Sequence, residues 1–405
     1  MPLQQFPIAK EDPTAIMDRT IAPISRNSFL SEYWGKSFLH LVGHKGKFAR
    51  LLGWEDLNSI LEQDRLEASR LRLLRDGQTL DSSMYITGGQ DRSRLKPGAL
   101  INCLSEGATL ILDRINELLP TVGQLAEAFQ EVLRSQTTVN LYAGWRIQKG
   151  FDLHWDPQDT MILQVSGRKH WTVYAPTRPH PLKEDLEPTP KPKGEPVWDG
   201  VLKDGDMIYL PRGWWHVAFP LDEPSLHLTV TIVPANGVHL LRWLVEELMR
   251  HADVRMNIPH LASDADRKLY VQRLSELLTE SWSDSVLERF IAEWEAQIPV
   301  RPRIRLPFAP IEGRAPINME TKVRLASSRR VAFTGTPTDG MVSYIASGIR
   351  GKCSEDLVPA LKQLRGTSSR SVAELCSQLS DESSTSMLMI LLTALAMRGA
   401  LQTEP

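Results

Sequence analysis

Apolar positions along the chain change period several times. Phe29, Leu30, Tyr33 and Trp34 recur at helical spacing, and Ser37-Phe-Leu-His-Leu-Val then alternates as a strand does. Gly53-Trp-Glu-Asp-Leu opens an amphipathic helix. Between 107 and 135, Gly107-Ala-Thr-Leu-Ile-Leu predicts a strand, followed by helical patterning over Asn116–Leu119 and Gly123–Ser135 with a break at Pro120. From Thr137 to Pro234 the texture becomes short β-rich runs separated by turn residues. These runs are Thr138–Tyr142, Thr160–Val165, His170–Tyr174, Met207–Leu210, His216–Phe219 and Ser225–Val233. Their spacing predicts an antiparallel sandwich or barrel. Pro176–Pro196 holds seven prolines and predicts a long surface loop inside it.

After Pro234 three amphipathic helices are predicted, Val238–His251, Ala265–Glu280 and Ser283–Ala296. A linker beginning Pro299-Val-Arg-Pro-Arg follows. Two short strands (Arg330–Phe333, Met341–Ala346) and three compact helices (Ser354–Leu364, Ser371–Leu379, Met387–Met397) complete the chain. This last unit has the size of a small winged-helix-like module, and no internal repeat is visible.

Composition narrows the class only a little. The 405 residues carry 47 Lys+Arg against 49 Asp+Glu, so net charge gives no global pull toward nucleic acid or anionic membrane. Locally, Pro299–Arg330 holds eight basic and two acidic residues, a balance of +6 that suits either a solvated linker or contact with an acidic partner. The Met387–Met397 helix is apolar almost throughout and reads as packing, which argues against a nucleic-acid-reading helix. No secretory signal pattern opens the chain. Its longest apolar run, Met387–Met397, falls short of the roughly 20 residues that span a bilayer. Cys103, Cys353 and Cys376 form no disulfide framework or zinc pattern and read as buried small apolar groups, which suits a cytoplasmic protein. Six of the 11 tryptophans (Trp145, Trp155, Trp171, Trp198, Trp214, Trp215) crowd the β-rich middle.

The chemistry lies in that middle. On a strand, His154 and Asp156 project from one face, with Trp155 on the other as core packing. His216 follows Gly205-Asp-Met-Ile-Tyr-Leu-Pro-Arg-Gly-Trp-Trp, in which glycine and proline turns bracket a strand. In a small barrel that arrangement brings His216 beside the pair. Two imidazoles and one carboxylate on one face form the facial triad of non-haem Fe(II) oxygenases. An HxD tripeptide alone is common; the turn-strand-turn element before His216 gives this one its weight. Lys169, thirteen residues after Asp156, falls on the next strand, where a buried ammonium can bind a carboxylate. Without the triad it would read as a solvated turn lysine. Asn140 and Tyr142 share a face of a preceding strand and can bind a carboxylate too, though either alone is an ordinary structural polar group. His227 is a candidate for the cavity wall, and Trp214 or Trp215 can line it, with packing the simpler reading for both. His170 and His180 read as surface or packing residues, and His239, His251 and His260 lack ligand spacing.

The pattern Asn140-x-Tyr142, His154-x-Asp156, Lys169 and His216 resembles the JmjC-type cupin dioxygenases, and within them the ribosomal oxygenases. Phe29–Leu41 and Ser225-Leu-His-Leu-Thr are similar to the same group. The resemblance implies an α+β chain with a double-stranded β-helix (a cupin/JmjC jelly-roll barrel), a helical dimerisation region and a C-terminal winged-helix-like domain. The implied division is 1–236, with barrel core about 137–234, then 237–300 and 301–405. It further implies iron on His154, Asp156 and His216, 2-oxoglutarate on Lys169, Tyr142 and Asn140, and O2 as co-substrate. The expected activity is hydroxylation of a protein or peptide side chain, a ribosomal protein being one candidate, by a homodimer that binds neither membrane nor, directly, nucleic acid. N-methyl demethylation, small-molecule tailoring and a cupin-fold binding protein with a vestigial site are the rivals.

Overall fold

Asp12 accepts the Thr14 N–H on its side chain and Pro13 fills the first turn, so the chain starts in helix α1 (Pro13–Ile21). The structure is a computed structural model. It describes residues 11–63, 67–88, 94–146, 150–185, 189–301, 317–327, 329–366 and 368–404. These divide into two compact units, Met1–Pro234 and Ala235–Pro405.

In the first unit α1 leads to α2 (Arg26–Ser28), a π-turn over Phe29–Tyr33, strand β1 (Leu39–Leu41) and α3 (Trp54–Leu61). Strands β2 (Leu71–Arg75), β3 (Gln78–Thr79), β4 (Ile86–Thr87) and β5 (Arg94–Leu95) come next, in a stretch where the sequence predicts none. Helix α4 (Pro97–Ser105), β6 (Thr109–Leu112), α5 (Ile115–Leu118) and α6 (Pro120–Val132) follow. Pro120 does not merely break a helix: it occupies the first turn of α6, where its missing N–H costs nothing. The β-rich middle supplies β7 (Gln136–Gly144), β8 (Asp159–Ser166), β9 (Arg168–Tyr174), β10 (Trp198–Lys203), β11 (Met207–Leu210), β12 (Trp215–Pro220) and β13 (Ser225–Val233).

These strands form two antiparallel sheets. The large one has the order β1-β11-β8-β13-β7-β6-β2-β3, the small one β10-β9-β12. Strand β8 is buried on both faces because both are covered. Met161, Leu163 and Val165 join the core shared with α1 and α6, whereas Ile162 faces the small sheet with Trp171, Val173 and Leu210. Pro211–Trp214 therefore does more than reverse the chain. Strand β11 belongs to the large sheet and β12 to the small one, so the turn carries the chain from one sheet to the other.

Several expectations need correction. His154 and Asp156 do not sit on a strand: only a single bridge, His154 opposite His216, is formed there. Both flank Trp155, which is half-buried and outside the core clusters. Lys169 lies on β9, opposite Pro220 of β12 and Leu202 of β10, so its strand neighbours the one carrying His216.

The second unit opens with α7 (Gly237–Leu248), α8 (Ala252–Arg255), α9 (Asp264–Ser281) and α10 (Val286–Gln297). Leu240, Val286 and Phe290 form a small core with Trp243 and Trp294 packed on it. Helix α9 is present where the pattern places it, but none of its residues is buried. The unit continues with β14 (Lys322–Leu325), β15 (Ala332–Thr338), β16 (Met341–Ala346), β17 (Ile349–Ser354), α11 (Val358–Gln363), β18 (Arg370–Ser371), α12 (Val372–Cys376), α13 (Glu382–Met397) and β19 (Leu401–Glu404). They form two three-stranded antiparallel sheets, β18-β14-β19 and β15-β16-β17. Helix α13 packs through Leu388, Leu392 and Leu395 yet leaves Met387, Ile390 and Met397 exposed, so only one face of it is packing. Of the basic stretch, Arg303, Arg305 and Arg314 lie outside the described residues; Lys322 and Arg324 belong to β14. All three cysteines are buried and free.

Candidate metal centre and anion pocket

The bridge between His154 and His216 is made by both backbone pairs. His216 N–H donates to His154 C=O at 2.7 Å, and His154 N–H to His216 C=O at 3.2 Å. This holds the two rings 4.3 Å apart between centroids. His154 Nδ1 lies 2.7 Å from Asp152 C=O and His216 Nδ1 3.1 Å from Trp214 C=O. A carbonyl only accepts, so both Nδ1 atoms carry the proton and both Nε2 lone pairs are left for a ligand. Asp156 Oδ2 stands 3.7 Å from His216 Nε2. One ligating atom from each of the three residues falls within 4.8 Å of the others, the one such cluster among the described residues. Burial and the neighbouring His154 push the His216 pKa down to about 4, so at pH 7 the ring is neutral and free to ligate.

A cavity of about 60 Å³ adjoins the triad, room for a ligand of several heavy atoms rather than one water. Its walls are built from pairs of residues two apart, as strands facing one space require. Thr160 and Ile162 come from β8, Lys169 and Trp171 from β9, His216 and Ala218 from β12, and His227 and Thr229 from β13. Thr109, Tyr142, Phe151 and Gly150 complete it.

Lys169 is 7% exposed, and no acidic side chain pairs with it among the described residues. Burial lowers its pKa to about 8, so near neutral pH it is a buried cation without a counter-charge. Its Nζ lies 5.8 Å from the Trp171 ring centroid, and Trp171 Nε1 is itself buried without an acceptor. Opposite, the Tyr142 ring stacks on His227 at 4.9 Å with planes 3° apart. Burial drives the Tyr142 phenol far above its ordinary range, and burial, then the charge of Lys169, drives the buried His227 well below its own. Both are neutral at pH 7.

Of the sequence candidates, His154, Asp156, His216, Lys169, Tyr142 and His227 all line this cavity. Asn140 does not. Its Oδ1 accepts the Arg114 N–H at 2.9 Å, and its side chain reaches the Tyr142 phenol, so it stands behind the wall. Trp214 packs with Phe38, and Trp215 is buried with Nε1 donating to Thr177 Oγ1. The tryptophan that lines the cavity is Trp171, which sequence reasoning left as an ordinary strand residue. The signal was available: it lies two residues beyond Lys169. His170 is bonded to Asp199 at 2.8 Å, away from the cavity.

The donor set suits Fe(II), since imidazole and carboxylate ligands on one face leave positions open. The unpaired Lys169 ammonium and the orphaned Trp171 N–H suit a carboxylate.

A family model described as the JmjC domain matches residues 115–240. Human ribosomal oxygenase 1 is 30% identical over 247 residues, covering 58% of this chain and 37% of its own. A bifunctional lysine-specific demethylase and histidyl-hydroxylase NO66 of Drosophila persimilis is 29% identical over 230 residues, covering 55% and 33%. The chain thus spans about a third of the length of the curated relatives it matches. Among solved structures, YcfD, a ribosomal oxygenase from Escherichia coli, is 18% identical with a TM-score of 0.57, covering 95% of this chain and 99% of its own. YcfD in complex with cobalt and 2-oxoglutarate aligns at TM-score 0.56 with 17% identity, over 95% and 99% of the two chains. The likeness to the structures establishes a shared cupin-type fold with a large antiparallel sheet. The chain carries a JmjC domain across residues 115–240 and is homologous to the ribosomal oxygenases and NO66.

Proposed function

We propose that this chain is an Fe(II)- and 2-oxoglutarate-dependent oxygenase that hydroxylates a protein side chain. The observation that carries this reading is one cavity holding both a two-histidine, one-carboxylate cluster and a buried, unpaired lysine. His154, Asp156 and His216 would hold the metal, and Lys169 the far carboxylate of 2-oxoglutarate. Tyr142, kept protonated by burial, can donate to that carboxylate, while Asn140 orients the phenol from behind. His227 stacks on Tyr142 and keeps its ring in place. Bound iron would supply the activation of O2, and the balance is C–H plus O2 plus 2-oxoglutarate giving C–OH, succinate and CO2. The protein's part is to fix both groups on rigid strands and to keep the cavity dry.

The names of the relatives favour a ribosomal-protein side chain as substrate. The demethylase half of the NO66 name supports N-methyl removal as a second reading. We further place a homodimer contact on 237–300 and a winged-helix-like domain on 301–405. Support for the contact comes from α9, which has no fully buried residue in the protomer and exposes Leu269, Val271 and Leu278. A cytoplasmic location completes the reading; no described helix is long and apolar enough to cross a membrane.

The test is anaerobic Fe(II) loading with 2-oxoglutarate and a ribosomal-protein mixture, then O2. Succinate with one oxygen added to a protein is expected. Formaldehyde release would select demethylation, and no succinate with any mixture would overturn the oxygenase reading.

A further inference from the structure

Asp159 opens β8 three residues after Asp156 and is 2% exposed. A carboxylate leaves water only when its oxygens are paired, and here both are. Oδ2 accepts the Tyr209 phenol, and Oδ1 accepts the Arg212 backbone N–H at 3.0 Å. Arg212 lies in the turn that crosses from β11 to β12. In the same turn Gly213 N–H donates to Asp156 C=O at 2.9 Å, and Trp214 C=O accepts from His216 Nδ1 at 3.1 Å. One buried carboxylate therefore holds the stretch that touches two of the three candidate ligands.

The rest of the clamp is rigid. Tyr209 is fully buried, its oxygen accepts the Gly35 N–H at 2.8 Å, and its ring meets Phe29 edge-on and stacks on Trp34. Gly213 has φ of +86°, and a Cβ there would come within 2.6 Å of Pro181 Cδ. A side chain would not fit at this point of the turn.

We propose that Asp159 is a positioning residue of the metal centre, clamping the 211–214 turn so that Asp156 and His216 keep their separation. This rests on the functional reading only in taking the triad as the metal site. A merely structural tie would lower melting temperature and leave metal affinity alone.

The experiment is a Co(II) titration of the full chain and of Asp159→Ala, Asp159→Asn and Tyr209→Phe, with a thermal melt of each. Asp159→Ala should weaken Co(II) binding about 10–100-fold, the usual effect of removing a group that orients a ligand. Asp159→Asn keeps an oxygen for the Arg212 N–H and should weaken it less. Tyr209→Phe leaves the Asp159–Arg212 bond intact, so it should lower the melting temperature with little change in affinity. The proposal is overturned if both Asp159 variants bind Co(II) as the unsubstituted chain does. It is equally overturned if affinity simply tracks melting temperature across the three variants. Should Asp159→Ala not fold, weaker binding by Asp159→Asn than by Tyr209→Phe supports the clamp, and unchanged binding by Asp159→Asn overturns it. An unsubstituted chain that binds no Co(II), or binds it equally well with His154→Ala, overturns the functional reading and the clamp together.

Discussion

The two ends of the cavity are built on different principles. At the candidate metal end, His154 and Asp156 lie on irregular chain, and order comes from backbone hydrogen bonds: the His154–His216 bridge, two carbonyls on the Nδ1 atoms and the Gly213 contact. At the anion end, Lys169, Trp171, Tyr142 and His227 stand on regular strands, and their chemistry comes from burial. A ligand atom must sit within tenths of an ångström of its place, which hydrogen bonds can enforce. An ammonium needs only a dry position and no competing carboxylate. Hydrogen-bonded geometry governs one end and desolvation the other.

That contrast can be broken at either end. His154→Ala should be the most damaging change, lowering divalent-metal affinity by more than about 100-fold, beyond what losing an orienting group costs. Equilibrium dialysis against Co(II) measures it. Lys169→Ala should raise the 2-oxoglutarate requirement about 10–100-fold, the loss of a charge-assisted bond worth roughly 1.5–3 kcal/mol, while leaving metal affinity unchanged. An equal loss of metal would show that the two ends are not separate.

Acidity sharpens the comparison further. The Lys169 pKa is depressed to about 8, so the free protein loses the ammonium as pH rises through 8. Affinity for 2-oxoglutarate should therefore fall above pH 8, by up to tenfold per pH unit, while metal retention stays flat there. Calorimetric titration from pH 7 to 9 checks this. The smallest effect on the protomer belongs to α9. Val271 is 64% exposed, so Val271→Asp should shift melting by no more than about 0.5 kcal/mol of stability, yet lower the light-scattering mass toward the 45.7 kDa of one chain.

The anion end was only partly legible in the sequence: Lys169, Tyr142 and His227 line the cavity, but Trp171 was not singled out and Asn140 stands behind the wall. Period two puts Trp171 on the face of Lys169, Ala218 on that of His216 and Thr229 on that of His227 once one of each pair is placed. The structure brings His154, Asp156 and His216 together, but not in the way the spacing predicted. No strand carries His154 and Asp156; the Asp152 carbonyl and the crossing turn aim them, and such contacts leave no periodic trace. Asn140 shows the limit of a shared-face argument, since its side chain is taken up by the Arg114 N–H. The β2–β3 hairpin was a different case. Asp76 and Gly77 both have positive φ, which a two-residue hairpin turn prefers, and Asp-Gly is its sequence signal. The pattern was there to be read. Its role was not, because only the fold brings Gly77 N–H within 3.0 Å of Gly150 C=O, four residues before His154. Helix α9 is the reverse: its pattern predicts a buried face, and among the described residues Tyr270, Leu274 and Leu277 of that face are only half-buried.

The paired backbone hydrogen bonds between residues 154 and 216 have a mechanical consequence. Two strands of chain sixty-two residues apart in sequence are riveted at the point where each carries an imidazole, so the histidines move as one jaw. The pair of imidazoles is thereby set by main chain alone, independently of the Asp156 carboxylate.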